Sequence, residues 1–182
     1  MALGEQFSGV LEAARTGADW AWDALYRELA PTVRGYVRSR GAQEPDDLTG
    51  EVFLHLVREV RRFEGGEPEF RSFVFVIAHR RLIDERRRLS RHPEQPAQEE
   101  FPEVAGGDAE GEAMSKLGTD WARKVIRTLS PDQGDVLMLR IVAGLSLEEV
   151  ARATGKTTGS VKALQRRGLA AIKKKIDQPV SL

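Results

Sequence analysis

The chain has 182 residues, 41% hydrophobic and 31% charged, and its 28 Lys and Arg balance 28 Asp and Glu to a formal net charge of zero. That length and apolar content allow one domain or two small ones. No run approaches the roughly 18 apolar residues of a membrane span, and the start MALGEQFSGVLEAARTG lacks a basic segment followed by an apolar one, so no membrane insertion and a cytoplasmic location are expected.

With no cysteine, disulfides, thiolate metal sites and a Cys nucleophile are excluded, and three scattered histidines make a His metal cluster improbable, so no cofactor is expected. No Gly-rich phosphate loop, HExxH or Ser/His/Asp set is present, so an enzyme is the weakest reading. The neutral total hides segregation of charge along the chain.

Trp20, Trp22, Leu25, Leu29, Val33, Tyr36 and Val37 predict one helix carried across Pro31, the place for a kink, and closed by Gly41. In PDDLTGEVFLHLVREVRRFEGG, Leu48, Val52, Leu56 and Val60 form an inward stripe and leave Asp47, Glu51, His55, Arg58 and Arg62 outside. That mixed outer face is either simply solvated or a docking face for a partner helix. Residues 70–88, FRSFVFVIAHRRLIDERRR, run apolar from Phe73 to Ala78 and then carry Arg80, Arg81, Arg86, Arg87 and Arg88. The apolar half suits a core, and the basic half suits either a nucleic-acid strand or a solvated helix end.

Residues 91–115 hold seven acids against one Arg, with three prolines and three glycines, and no apolar period. They read as a flexible acidic linker between domains at 1–90 and 116–182. Ser130-Pro131-Asp132-Gln133 and Ser146-Leu147-Glu148-Glu149 are capping boxes. From Ser146 a short helix with Leu147, Val150 and Ala151 on one face ends at Gly155, and a second helix starts near Thr157 or Thr158, which is helix-turn-helix spacing.

On that second helix Val161, Leu164, Gly168 and Ile172 point inward, opposite Lys162, Ala163, Arg166, Arg167, Ala170 and Lys173. Lys156 to Lys175 contains seven Lys or Arg and no acid, a field suited to a phosphate backbone. Small residues at Ala163 and Ala170 permit close approach to a major groove, while Lys162 and Arg166 can reach bases or phosphates. Strand alternation is absent, so the expected fold is all-α: two small helical domains joined by the linker.

DDLTGEVFLHLVREVRRFEGGEPEFRSFVFVIAHRRLIDERRR resembles region 2, and LSPDQGDVLMLRIVAGLSLEEVARATGKTTGSVKALQRRGLAAIKKK resembles region 4, of bacterial sigma factors of the extracytoplasmic-function type within the sigma-70 family. The resemblance implies that region 2 recognises and melts minus-10 DNA, region 4 reads minus-35, and RNA polymerase core supplies the catalysis. It implies core docking on the beta-prime clamp helices by Asp47, Glu51 and Arg58, with the beta flap as a further contact. Gly50 stands where the family usually has Gln, which costs about 1 kcal/mol of helix propensity and removes a polar group.

By the same resemblance FEGGEPEF, residues 63–70, is the specificity loop for a flipped minus-10 base, in which Phe63 and Phe70 either stack on the base or anchor the loop to the core. Minus-10 strand contact falls to His79, Arg80, Arg87 and Arg88, with Asp84 orienting an Arg. The family's Trp and Tyr are replaced by Phe73 and Phe75, and its Arg-Asn pair by His79-Arg80, so promoter choice is expected to differ. Minus-35 contact falls to Thr158, Ser160, Lys162, Ala163, Arg166 and Arg167. The linker either threads the polymerase channel or serves as a plain tether. The resemblance also implies an anti-sigma partner and a monomeric free state. An operator-binding helix-turn-helix regulator, independent of core polymerase, is the alternative.

Overall fold

The computed structural model describes residues 3–91 and 129–177. Among these are seven α-helices and no strand: α1 Phe7–Arg15, α2 Asp19–Ser39, α3 Pro45–Glu59, α4 Glu67–Arg91, α5 Pro131–Ile141, α6 Leu147–Thr154 and α7 Thr158–Ile176. The all-α expectation holds. Apart from Arg91, the acidic segment 91–115 lies outside the described residues, as does the start of the second domain expected at 116.

Helices α1 to α4 form the N-terminal unit. Phe7, Val10, Leu11 and Ala14 recur at helical spacing and are buried, so α1 is a core helix that the sequence reading did not single out. On α2, Ala21, Leu25, Leu29, Val33, Tyr36 and Val37 are buried, and the helix passes through Pro31 without ending. Trp20 falls off that stripe and is 59% exposed. Trp22 is half-buried, its indole N–H donating to the Ala14 carbonyl at 3.2 Å. Gly41 turns the chain with φ +81°, a conformation that favours glycine. Pro45 then opens α3 at a position where its missing N–H costs nothing, and Leu48, Val52 and Leu56 are buried as expected.

The loop before α4 is shorter than the residues suggest. The 3-10 turn Val60–Arg62 leads into residues 63–66, and α4 already begins at Glu67, so Glu67–Phe70 is a first helical turn rather than loop. Pro68 is compatible with that turn because the first N–H groups of a helix lack internal partners. Gly65 has φ +138°, and a Cβ there would lie 2.9 Å from Glu69 Cβ, so both conformation and space require glycine.

In the C-terminal unit both expected capping boxes are present: Ser130 with Gln133 at the start of α5, and Ser146 with Glu149 at the start of α6. Burial pushes the Glu149 pKa up, but the hydrogen bonds from Ser146 outweigh it and hold the carboxyl below its ordinary value. Gly155, with φ +67°, ends α6, and the Thr157 side chain caps α7 by accepting from the Ser160 N–H at 3.2 Å. Val161, Leu164 and Gly168 face inward, and Ile172 is half-buried. A Cβ on Gly168 would lie 2.7 Å from Leu137 Cδ1, so the missing side chain sets how closely α7 sits on α5.

The two units pack together through α4 against α6, and their buried apolar side chains merge into one cluster. Arg71 of α4 reaches across and donates to the Ala143 carbonyl at 2.8 Å and the Val142 carbonyl at 3.4 Å, satisfying acceptors left open at the end of α5.

Candidate nucleic-acid interface

Three surfaces collect the residues singled out in the sequence. The first is α7. Thr158, Ser160, Lys162, Arg166 and Arg167 are exposed and Ala163 is half-buried, all on the side away from Val161 and Leu164. No carboxylate among the described residues pairs with Lys162, Arg166 or Arg167, so their charge faces outward uncompensated. The Ser160 N–H is taken by the Thr157 cap, which leaves its hydroxyl exposed. Lys156 is anchored instead, its Nζ 2.9 Å from Asp132 Oδ2 on α5. The geometry is that of a second helix of a helix-turn-helix, with a basic outer face and a small residue at its middle.

The second surface is the residue 63–66 loop with the basic end of α4. Phe63 is half-buried and stacks on Phe73, centroids 5.4 Å apart and rings inclined by 25°. Phe70 is 1% exposed, wedged between Phe7 at 5.6 Å and Phe63 at 5.1 Å. Of the two rings, Phe70 is thus the core anchor, and Phe63 alone keeps an exposed portion. Arg15 holds the base of the loop by donating to the Phe63 carbonyl. Arg80, Arg87 and Arg88 are exposed on one flank of α4. Asp84 lies 3.7 Å from Arg87, with both side chains mostly in solvent, where such a pair contributes little.

His79 does not share that flank. It is buried, its Nδ1 2.8 Å from the Tyr36 hydroxyl. The apolar surroundings disfavour imidazolium and push its pKa down, and burial likewise raises that of the Tyr36 phenol. The neutral forms that burial favours match as donor and acceptor, O–H to ring nitrogen. Direct strand contact by His79 therefore gives way to a supporting role under α4, because the helix turns residue 79 toward α2 while residue 80 faces out.

The third surface is the outer face of α3. Asp47, Glu51 and Arg58 are exposed and share one stripe with Leu54, which is 62% exposed; Val57, 48% exposed, sits beside it. Arg81 of α4 borders the stripe, 3.9 Å from Glu51 and 3.4 Å from His55 Nδ1. Leu54 and Val57 were not singled out in the sequence, although both fall off the inward stripe of Leu48, Val52, Leu56 and Val60. Together they give the charged stripe an apolar centre, the arrangement of apolar core and polar rim that protein contacts use.

The sequence reading also missed a charged cluster between the two units. Arg40 Nε lies 2.6 Å from Asp135 Oδ1, and Arg86 reaches Oδ2 at 3.0 Å and Oδ1 at 3.3 Å. Arg40 and Asp135 are almost fully buried. Burial pushes the Asp135 carboxyl up, but the two guanidinium groups outweigh it and keep its pKa below the ordinary value. Nothing in the local sequence around residue 40, 86 or 135 marks this pairing.

Comparisons with known proteins bear on the family of the chain. The family profile for sigma-70 region 2 matches residues 25–92, and that for sigma-70 region 4 matches residues 125–174. The chain is 33% identical to the ECF RNA polymerase sigma factor SigD of Mycobacterium tuberculosis, over 95% of this chain and 85% of that protein. It is 30% identical to the ECF RNA polymerase sigma factor ShbA of Streptomyces griseus, over 85% of this chain and 86% of that one. Among solved structures, RpoE of Bartonella quintana in complex with the anti-sigma factor NepR superposes with a TM-score of 0.68 at 17% identity, covering 86% of this chain and 97% of that one. CnrH in complex with the cytosolic domain of CnrY gives 0.65 at 18% identity, covering 92% and 95%. At those identities the likeness is one of fold. The two region matches in order, together with relatives matched over most of both lengths, show that this chain belongs to the ECF RNA polymerase sigma factors of the sigma-70 family.

Proposed function

We propose that the chain binds RNA polymerase core and directs promoter-specific initiation, with α7 in the major groove of the minus-35 element and α4 and the 63–66 loop on the minus-10 strand. The observation that carries this reading is the uncompensated basic face of α7, set in helix-turn-helix geometry on the same chain as the separate α3 docking stripe. Thr158, Ser160, Lys162, Ala163, Arg166 and Arg167 are the minus-35 residues. On the minus-10 side, Arg80, Arg87 and Arg88 take phosphates and Phe63 offers a ring to an unstacked base, while Phe70 and His79 hold the surface from beneath.

Asp47, Glu51 and Arg58, centred on Leu54, dock on the beta-prime clamp helices, and the C-terminal unit engages the beta flap. The factor acts in the cytoplasm and as a monomer when free. An anti-sigma partner belongs to the proposal, supported by the structure of the same fold in which RpoE is held by the anti-sigma factor NepR. Among the described residues, no helix is long and apolar enough to cross a membrane.

Run-off transcription from genomic fragments, with and without purified core enzyme, tests the reading. Core-dependent initiation at defined start sites is the expected result. Specific duplex binding by the free protein without core-dependent initiation would establish the operator-binding regulator instead.

A further inference from the structure

The Arg40–Asp135–Arg86 cluster joins two units that the proposed function requires to separate. Minus-10 and minus-35 elements lie roughly 25 base pairs apart, about 85 Å along the duplex at 3.4 Å per pair. Units of about 90 and 50 residues have radii of gyration near 12 and 10 Å. Packed together, they cannot reach both elements, so the contact between them must open for both to be read.

The chemistry of the cluster resembles that of an anion site. Two guanidinium groups converge on both oxygens of one carboxylate, and the same fork fits a phosphate. Arg86 is held by its own unit, because its Nη2 also donates to the Arg40 carbonyl at 2.8 Å. It would keep its aim after Asp135 leaves. Arg86 also lies on α4 next to the exposed Arg87 and Arg88, so the site continues the basic end of that helix.

Asp135, in turn, has no hydrogen-bond partner for its carboxylate within its own unit among the described residues; both oxygens go to Arg40 and Arg86. The C-terminal unit is shaped to admit the arginine. Arg40 donates to the Pro131 carbonyl at 2.9 Å, and a Cβ on Gly134 would lie 2.3 Å from Arg40 Nη1.

We propose that Asp135 stands in for a nucleic-acid phosphate. Its carboxylate closes the C-terminal unit onto an anion site made by Arg40 and Arg86, and that site takes a backbone phosphate of promoter DNA once the units part. Closure and full promoter engagement then exclude one another, because one pair of arginines serves both. The proposal rests on the sigma-factor reading.

Since the chain lacks cysteine, Asp23→Cys and Lys174→Cys on exposed positions of the two units allow specific labelling of the whole chain for energy transfer. Asp135→Asn removes the charge of the carboxylate. Gly134→Leu keeps Asp135 and replaces glycine with a better helix former, but fills the space of Arg40. Circular dichroism checks that both remain helical, and the variant that does is read.

Transfer efficiency in the free chain is expected to fall in either variant; unchanged transfer in a folded variant overturns the closure. In holoenzyme, Arg40→Gln and Arg86→Gln should each weaken promoter binding severalfold and lower the slope of log affinity against log salt by about 1, one phosphate contact each. Unchanged slopes in both overturn the phosphate site. Core-dependent run-off by the parent chain is scored alongside: if it persists while transfer and slopes do not move, this proposal fails and the sigma-factor reading stands. If no core-dependent run-off occurs, the sigma-factor reading fails.

Discussion

The Tyr36 hydroxyl and His79 Nδ1 meet at 2.8 Å in the core of the N-terminal unit, joining α2 to α4 directly beneath the basic flank that carries Arg80. The pair replaces a strand contact expected of His79 with a support for its neighbour. Arg40, Arg86, Asp135 and Lys156 all act on the histidine electrostatically, but burial is the largest influence, and the net effect keeps the ring neutral.

A histidine whose pKa is lower in the folded than in the unfolded chain stabilises the fold fully above about pH 6.5, and this stability is lost as pH falls through that value toward the folded pKa. Thermal stability of the parent chain should therefore fall between pH 7 and pH 5. Glu85, whose carboxyl burial pushes up, acts in the opposite direction. His79→Gln retains Glu85, so the difference between the two pH profiles isolates the histidine. Parallel profiles would show that residue 79 does not titrate in this range.

Arg166 and Arg167 project from α7 without carboxylate partners among the described residues. Arg166→Ala with Arg167→Ala should weaken minus-35 duplex binding by the holoenzyme. The slope of log affinity against log salt should become shallower by about 1 for each phosphate no longer neutralised, with folding changed by less than about 0.5 kcal/mol. Fluorescence anisotropy across a salt series measures both. An unchanged slope would move the DNA face elsewhere.

Leu54 is 62% exposed in the middle of the α3 stripe. Leu54→Asp should leave the melting temperature nearly unchanged, since the leucine buries little apolar surface in the free chain. As the centre of a docking face, it should nonetheless weaken core binding by 2 kcal/mol or more, about 30-fold. Competition against a labelled sigma factor for core enzyme gives the affinity.

Gly50 lies on the same stripe, inside α3, where a Cβ would meet nothing of the surrounding structure within 4 Å. Gly50→Gln should stabilise the N-terminal unit by about 0.5–1 kcal/mol through helix propensity alone, visible in urea titration. It should also tighten core binding if the amide finds a partner on the clamp helices. Stabilisation without tighter binding would mean that position 50 faces solvent in the complex.

Local pattern made much of the chain legible. The burial of Leu25, Leu29, Val33, Leu48, Val52, Val161 and Leu164 follows from a period of 3.6 residues. The two capping boxes and the Gly155 stop are written within four residues of each helix end, and all three are present. Helix α1 carries the same pattern in Phe7, Val10, Leu11 and Ala14 and is readable, though brief. The start of α4 is harder to place because Gly65, Gly66 and Pro68 all mark loops, yet proline also fits a first helical turn.

By itself the sequence determined which faces of its helices are apolar and which are basic, because those properties depend only on spacing along one helix. It could not determine which residues become partners across 95 positions of chain, as Arg40 and Asp135 do. That depends on the packing of α4 against α6, which brings three separate side chains into a space with little water. There an unpaired carboxylate is costly, and the two guanidinium groups beside it supply the pairing. The packing of α4 against α2 likewise buried His79 and left Arg80 outside, a difference of one residue that no charge count distinguishes.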